Sequence, residues 1–233
     1  MRDRHDPAAG DPARPGLAAE YPGTYTVQRP LKTGGTVPYE KFDVAKLERL
    51  NDPGRFEYLD PAVIWAAADV EDPRAIVEIG AGTGLFACRF AEYAPHAEVY
   101  AVDVEPKMVR WMLEHRPAAP LCDRLHPTLS HETVVRLPTG EADLLAMINV
   151  HHELADPVSS YREALRLLRI GGKIVVADWK PGDENGGPPQ HVRASAEQIS
   201  ELLGRVGFED ARCHGGLPRH SLVTARKPVV CAL

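Results

Sequence analysis

The sequence predicts an α/β fold in which parallel strands form a doubly wound sheet with helices on both faces. Three observations carry that expectation. From Ala75 onward, short apolar runs alternate with segments of helical period, the pattern of a parallel sheet joined by crossover helices. The run Ile76-Val-Glu-Ile79 is followed by glycines at 80, 82 and 84, which reads as a buried strand, a sharp turn and the start of a helix. Acids also stand at strand ends: Glu78 just before the turn and Asp103 about 20 residues beyond it, where open sheets receive ligands. The fold class is therefore Rossmann-like.

The composition narrows the function. At 233 residues, with 44% hydrophobic and 26% charged side chains, the chain can bury one well-packed domain plus an appendage. A formal net charge of −6 argues against non-specific nucleic-acid binding. No apolar run approaches the roughly 18 residues of a membrane span, and the first residues carry no apolar core of a secretory signal. Cys88, Cys122, Cys213 and Cys231 form no Cys-x-x-Cys pair, so free thiols in a reducing cytoplasm are expected, with neither a zinc site nor a redox motif. The oligomeric state is left open.

Residues 1–38 are rich in Pro and Gly and read as a flexible or extended arm, although Tyr21 and Tyr25 are aromatic enough to dock. Residues 39–73 read as a helical lid segment. Phe42 to Leu50 has a short helical pattern, Asn51-Asp-Pro-Gly54 breaks it, and Asp60 with Pro61 starts a second helix that Asp72-Pro73 stops.

Residues 74–233 form the ligand-binding domain. A helix follows the glycine turn to about Tyr93, Glu98–Asp103 is the second strand, and Glu105 to His115 is its helix. The third strand lies within Leu121 to Leu129, interrupted by Pro127, and Ala142–Ile148 is the fourth. A helix from Pro157 to Arg169 is expected to end at Gly171-Gly172, with Lys173–Asp178 as the fifth strand. Ser195 caps a helix to Val206, and Phe208 to His214 and Ser221 to Arg226 are the last two strands.

The glycine turn discriminates between nucleotide ligands. A dinucleotide fingerprint places its third glycine where this chain has Leu85. Glu78 would also repel a pyrophosphate at the helix terminus. A ligand with an ammonium group and no phosphate fits better, and S-adenosylmethionine is one.

The run Glu78-Ile-Gly-Ala-Gly-Thr-Gly84 resembles motif I of the class I S-adenosylmethionine-dependent methyltransferases. The resemblance extends through Ile76–Phe90, Val99–Asp103, Ala142–Leu154, Leu165–Asp178 and Phe208, over roughly residues 40 to 227, and is nearest to the quinone and arsenite methyltransferase group. It implies seven strands with the last antiparallel, an N-terminal helical lid, S-adenosylmethionine as cofactor and a small-molecule substrate. It also implies that Glu78, Gly80, Ala81, Gly82 and Gly84 hold the methionine part, Asp103 the ribose, and Val104 and Met108 the adenine. Glu132 stands where the family offers an acid to the adenine amino group, with His131 and Thr133 as alternatives. Arsenite methylation is not implied, because the cysteine that should follow Asn149 is Val150.

Asn149-Val-His-His-Glu153 follows the fourth strand and should lie beneath the transferable methyl. Adjacent histidines on an extended stretch point apart and no spaced third ligand follows, so no metal is expected. A histidine of near-neutral pKa suits proton removal from a nucleophile. Alternation past Ile148 would group His152 with Ile148 and Val150, and His151 with Asn149; His152 is the preferred base, with His151 second. Glu153, Asp178 and Trp179 are assigned to the substrate wall, the bland alternative being a capped strand end with Trp179 packed under a loop. The competing function is a catalytically inactive S-adenosylmethionine-binding regulatory or assembly protein; an NAD-dependent oxidoreductase is disfavoured by Leu85 and Glu78.

Overall fold

A computed structural model describes residues 47–229. The arm at 1–38 and the start of the helix expected from Phe42 lie outside the described residues. The order of elements is α1 (Leu47–Leu50), a 3-10 turn (Pro53–Glu57), α2 (Pro61–Ala68), β1 (Ala75–Ile79), α3 (Leu85–Tyr93), β2 (Glu98–Asp103), α4 (Pro106–Glu114), α5 (Leu121–Arg124), β3 (Leu125–Leu129) and β4 (Ala142–Ile148). Next come a 3-10 turn (His151–Glu153), α6 (Pro157–Leu167), β5 (Leu168–Trp179), a 3-10 turn (Gln190–Val192), α7 (Ala196–Val206), β6 (Glu209–His214) and β7 (His220–Arg226).

The seven strands lie in the order β3-β2-β1-β4-β5-β7-β6. β1 pairs in parallel with β2 on one side and β4 on the other, so strand order reverses between β1 and β4. That is the switch point at which open sheets leave a crevice. β7 inserts antiparallel between β5 and β6. The doubly wound sheet with an antiparallel last strand is thus the observed fold.

Period-two alternation builds the two cores. Ile76, Ala101, Leu144 and Val175 face α2 and α3, where Ile64, Phe86 and Phe90 are buried. Their chain neighbours Val77, Val102, Leu145 and Ile174 face α6 and α7, meeting Tyr161, Leu167, Ile199 and Leu203. α2 is a full member of the first layer: Ile64 is 0% exposed and Trp65 packs on Phe90 and Tyr93.

Some boundaries differ from expectation. α2 ends at Ala68, not near Asp72, because Asp69 adopts a left-handed conformation (φ 48°) that closes the helix. Gly171-Gly172 does not end α6. The helix stops at Leu167, and β5 runs through both glycines because Lys227 pairs with them, accepting from Gly171 N–H and donating to the Gly172 carbonyl. Gly172 is required there for close approach, since a Cβ would lie 2.9 Å from the carbonyl oxygens of Ala142 and Arg169. Pro127 does lie within β3, which pairs only with β2, so its missing N–H falls on an edge. α5 was not anticipated. The His151–Glu153 turn replaces the expected extended stretch, and alternation therefore stops at Ile148.

Candidate active site

The glycine turn sits at the carboxyl end of β1, inside the switch-point crevice. Gly80 N–H and Ala81 N–H both donate to the Val102 carbonyl, at 2.8 and 3.0 Å, folding the turn over β2. Gly80 has φ 73°, and a Cβ on it would lie 2.4 Å from Val150 Cγ2. Glycine is required on both counts, so the turn touches the segment carrying the histidines. Gly82 is open on its ligand side except for Leu50, whose Cδ1 would lie 3.6 Å from an added Cβ. Gly84 packs against Met112 of α4 and caps α3.

Asp103 ends β2 and braces the turn. Its Oδ2 accepts from Gly82 N–H at 2.8 Å and its Oδ1 from Glu105 N–H at 2.9 Å. Burial raises its pKa, opposed by the amides of Glu105, Gly82 and Val104. Val104 is half-buried beside it, and Met108 is buried one turn into α4. Glu132 is exposed on the tight turn closed by the bridge between His131 and Val134. The structure places it on the loop after β3 and gives no further reason to prefer it over His131 or Thr133.

Glu78 and Asn149 end adjacent strands at the crevice. Glu78 is 1% exposed, and burial pushes its carboxyl up to about 8, with the Ala87 amide and Arg55 opposing and Asp103 adding to the rise. Its Oε2 and the Asn149 Oδ1 are buried without a hydrogen-bond partner. Asn149 has φ 56°, the left-handed bend that turns the chain out of the sheet.

Beyond that bend the two histidines diverge. His152 Nδ1 donates to Asp178 Oδ1 at 2.8 Å, and its Nε2 lies 3.7 Å from Glu153 Oε1. Burial lowers the His152 pKa, but the Asp178 hydrogen bond and charge, helped by Glu153, outweigh it and leave the value raised. His151 Nδ1 shares a 2.8 Å hydrogen bond with the buried Tyr161 hydroxyl, and burial lowers its pKa. Asp178 itself is 0% exposed and also accepts from Trp179 N–H, so it stands behind His152 and not on an open wall. Trp179 lies under the 181–189 loop, where a Cβ on Gly187 would come within 2.7 Å of its ring. Arg219 and Arg193 stack over the indole at 4.9 and 5.7 Å and fasten the loop through Asp183.

A family profile described as a methyltransferase domain matches residues 77–176. The chain is 25% identical to a SAM-dependent methyltransferase from Aquifex aeolicus of known structure, covering 80% of this chain and all of that one, with a TM-score of 0.75. Residues 77–176 thus match the methyltransferase-domain family, and the fold over the wider chain is that of the solved Aquifex protein. Two curated relatives differ in what they are named for. A malonyl-[acyl-carrier protein] O-methyltransferase of Hahella chejuensis is 28% identical over 150 residues, 58% of this chain and 51% of that protein. A tRNA1(Val) (adenine(37)-N6)-methyltransferase of Dyadobacter fermentans is 31% identical over 133 residues, 49% and 55% respectively. The chain thus spans about half the length of the curated relatives it matches.

The methyltransferase cofactor, S-adenosylmethionine, fits the crevice on the structure's own terms. Two buried acceptor oxygens, on Glu78 and Asn149, lack donors where the ligand's ammonium group would supply them. Gly82 leaves its side of the turn open, and Asp103 presents a carboxylate at the adjoining strand end. Among the described residues, no group of three or more His, Cys, Asp or Glu side chains gathers as a metal site, and no helix is long and apolar enough to cross a membrane. Sequence reasoning missed Arg55, Tyr58, Tyr161 and His220, which come to this site from three separate elements. His220, its pKa pushed down to about 4 by burial, stacks on Tyr58 and lies 4.5 Å from the Trp179 ring. None carries a local motif that would single it out.

Proposed function

We propose that the protein transfers a methyl group from S-adenosylmethionine to a nucleophilic oxygen, nitrogen or carbon of a small molecule, with His152 as the proton acceptor. The observation that carries the base assignment is the buried His152–Asp178 hydrogen bond. A carboxylate on Nδ1–H fixes the tautomer and makes Nε2 the basic nitrogen. Glu153 beside Nε2 then favours the imidazolium that results.

When bound, S-adenosylmethionine supplies an electrophilic methyl, so the protein's task is to align the acceptor and exclude water. Glu78 and Asn149 would receive the ammonium group, Asp103 the ribose hydroxyls, and Val104 and Met108 would flank the adenine. Asp178 moves from the substrate wall to a positioning role behind His152. The 181–189 loop, fastened over Trp179, closes the acceptor side against solvent. A net charge of −6 favours a small acceptor over a polyphosphate chain.

The test is methyl transfer from isotopically labelled S-adenosylmethionine into fractions of a cell extract. Label in a small-molecule fraction supports the reading. Label confined to RNA would overturn the acceptor class, and cofactor binding with no label anywhere would favour the inactive binding protein.

A further inference from the structure

We infer that His220 holds a hydroxyl group of the methyl acceptor, so that the acceptor is an uncharged, hydroxylated aromatic molecule. The inference rests on the methyl-transfer reading above and adds the chemical class of the second substrate.

β7 begins at His220, which pairs with Trp179 at the end of β5. The residue before Trp179 is Asp178, the carboxylate behind His152, so the imidazole stands at the same strand end as the proposed base. Its ring is parallel to that of Tyr58 within 9° at 5.9 Å, and lies 4.5 Å from the Trp179 ring. His220 is only 3% exposed. Among the described residues, neither Nδ1 nor Nε2 has a hydrogen-bond partner. Buried polar atoms are nearly always paired, so two on one ring call for a group that completes them.

The state of the ring says which group that is. Burial lowers its pKa to about 4, helped by Arg55 and Arg219 and opposed by Asp178. The Tyr58 backbone also opposes, without forming a hydrogen bond of ordinary geometry. The imidazole is therefore neutral near pH 7, with one N–H to donate and one lone pair to accept. A hydroxyl answers both. A carboxylate only accepts, and the Arg219 guanidinium that could have received it is held by Asp183 and the Asn185 carbonyl. An ammonium only donates and would be repelled by Arg55 and Arg219. Tyr58 and Trp179 are half-buried, so they keep ring surface that an aromatic body would cover.

The test measures binding of three matched probes to the protein saturated with S-adenosylhomocysteine: 2-naphthol, 2-methoxynaphthalene and 2-naphthoate. Only the first has a neutral hydroxyl. The wild-type protein should bind 2-naphthol about 10-fold or more tightly than either of the others. His220→Phe keeps a ring between Tyr58 and Trp179 but has no nitrogen, and there the preference should shrink to about twofold or less. His220→Gln keeps a donor and an acceptor and should retain part of it. Affinity for S-adenosylhomocysteine close to that of wild type reports that each variant is folded. Equal binding of all three probes or of none, as expected if a buried water alone serves the ring, overturns the inference. So does a preference for 2-naphthoate, or a 2-naphthol preference that survives in His220→Phe. Methyl transfer into a small-molecule fraction without any hydroxyl preference would leave the methyl-transfer reading standing and sink this inference alone. If the wild-type protein does not bind S-adenosylhomocysteine, the cofactor assignment fails and takes this inference with it.

Discussion

Asp178 Oδ1 lies 2.8 Å from His152 Nδ1, and the two side chains are only 1% and 6% exposed. β5 delivers the carboxylate and the turn after β4 delivers the imidazole, so two adjacent strand ends make the pair. A buried carboxylate accepting from Nδ1–H fixes the tautomer and makes Nε2 the basic nitrogen.

His152→Ala should therefore lower kcat by about 100- to 10,000-fold with little change in cofactor affinity. Asp178 and Glu153 raise the His152 pKa, so the neutral, basic form is lost as pH falls through that raised value. Asp178→Asn should lower the plateau rate and move the acidic limb of the pH–rate profile to lower pH. His151→Ala, which breaks a bond to Tyr161, should do less. Full kcat in His152→Ala would mean that alignment alone suffices.

Glu78 makes stability and binding depend on pH in a defined direction. Its folded pKa of about 8 lies above the ordinary carboxyl value of 4.5. The folded state holds this proton more tightly than the unfolded one, so its contribution is fully present below about 4.5 and is lost as pH rises toward 8. Glu78→Gln should melt higher than wild type at pH 8 in the absence of ligand, the gap closing at acid pH. The same variant should bind S-adenosylmethionine more weakly, with calorimetry no longer showing the proton release that accompanies ionisation of Glu78. A wild-type-like pH dependence of melting in Glu78→Gln would rule this out.

Much of the sheet was legible because its signals are local. β2 and β4 occupy the expected residues, and Ser195 caps α7 as expected, the structure adding a capping box with Gln198. Gly171-Gly172 misled because a glycine pair after a helical pattern reads as a helix end, whereas its pairing with Lys227 is non-local. The proposed cofactor half of the site could be read from the sequence because motif residues follow one another along the chain. The acceptor half could not be resolved: the left-handed bend at Asn149 cancels strand alternation, and Asp178, Tyr161 and Arg55 reach the crevice only through tertiary packing. Asp178 and Trp179 were singled out from their strand end, but the full burial of Asp178 was not visible there.

Asp103 serves the protein before any ligand arrives. Its carboxylate holds both Gly82 N–H and Glu105 N–H, so Asp103→Ala should destabilise the ligand-free protein by about 1–3 kcal/mol as well as weaken cofactor binding. A melting temperature unchanged in the ligand-free variant would show that those two bonds contribute little. This differs from a purely ligand-facing carboxylate, whose removal leaves the free protein's stability intact.

The contact between Gly80 and Val150 couples the glycine turn to the segment that carries His152. A Cβ on Gly80 would sit 2.4 Å from Val150 Cγ2, and the backbone at φ 73° disfavours any side chain. Gly80→Ala thus incurs two costs: about 1–2 kcal/mol of conformational strain, and a clash relieved only by moving Val150. Val150 leads directly into the His151–Glu153 turn, so its displacement should shift His152 from Asp178 and lower kcat along with stability. Val150→Ala alone removes little buried volume and should cost about 1 kcal/mol or less. In the double variant the 2.4 Å clash with Cγ2 disappears, while a tight 2.9 Å approach to the residue-150 Cβ and the strain remain. Denaturant unfolding should therefore show the pair to be less destabilised than the sum of the singles by about 0.5–3 kcal/mol. Turnover should recover in part in the same double variant. Additive stabilities, or a kcat that recovers nothing when the Cγ2 clash is removed, would show that the two sites are not linked through this contact.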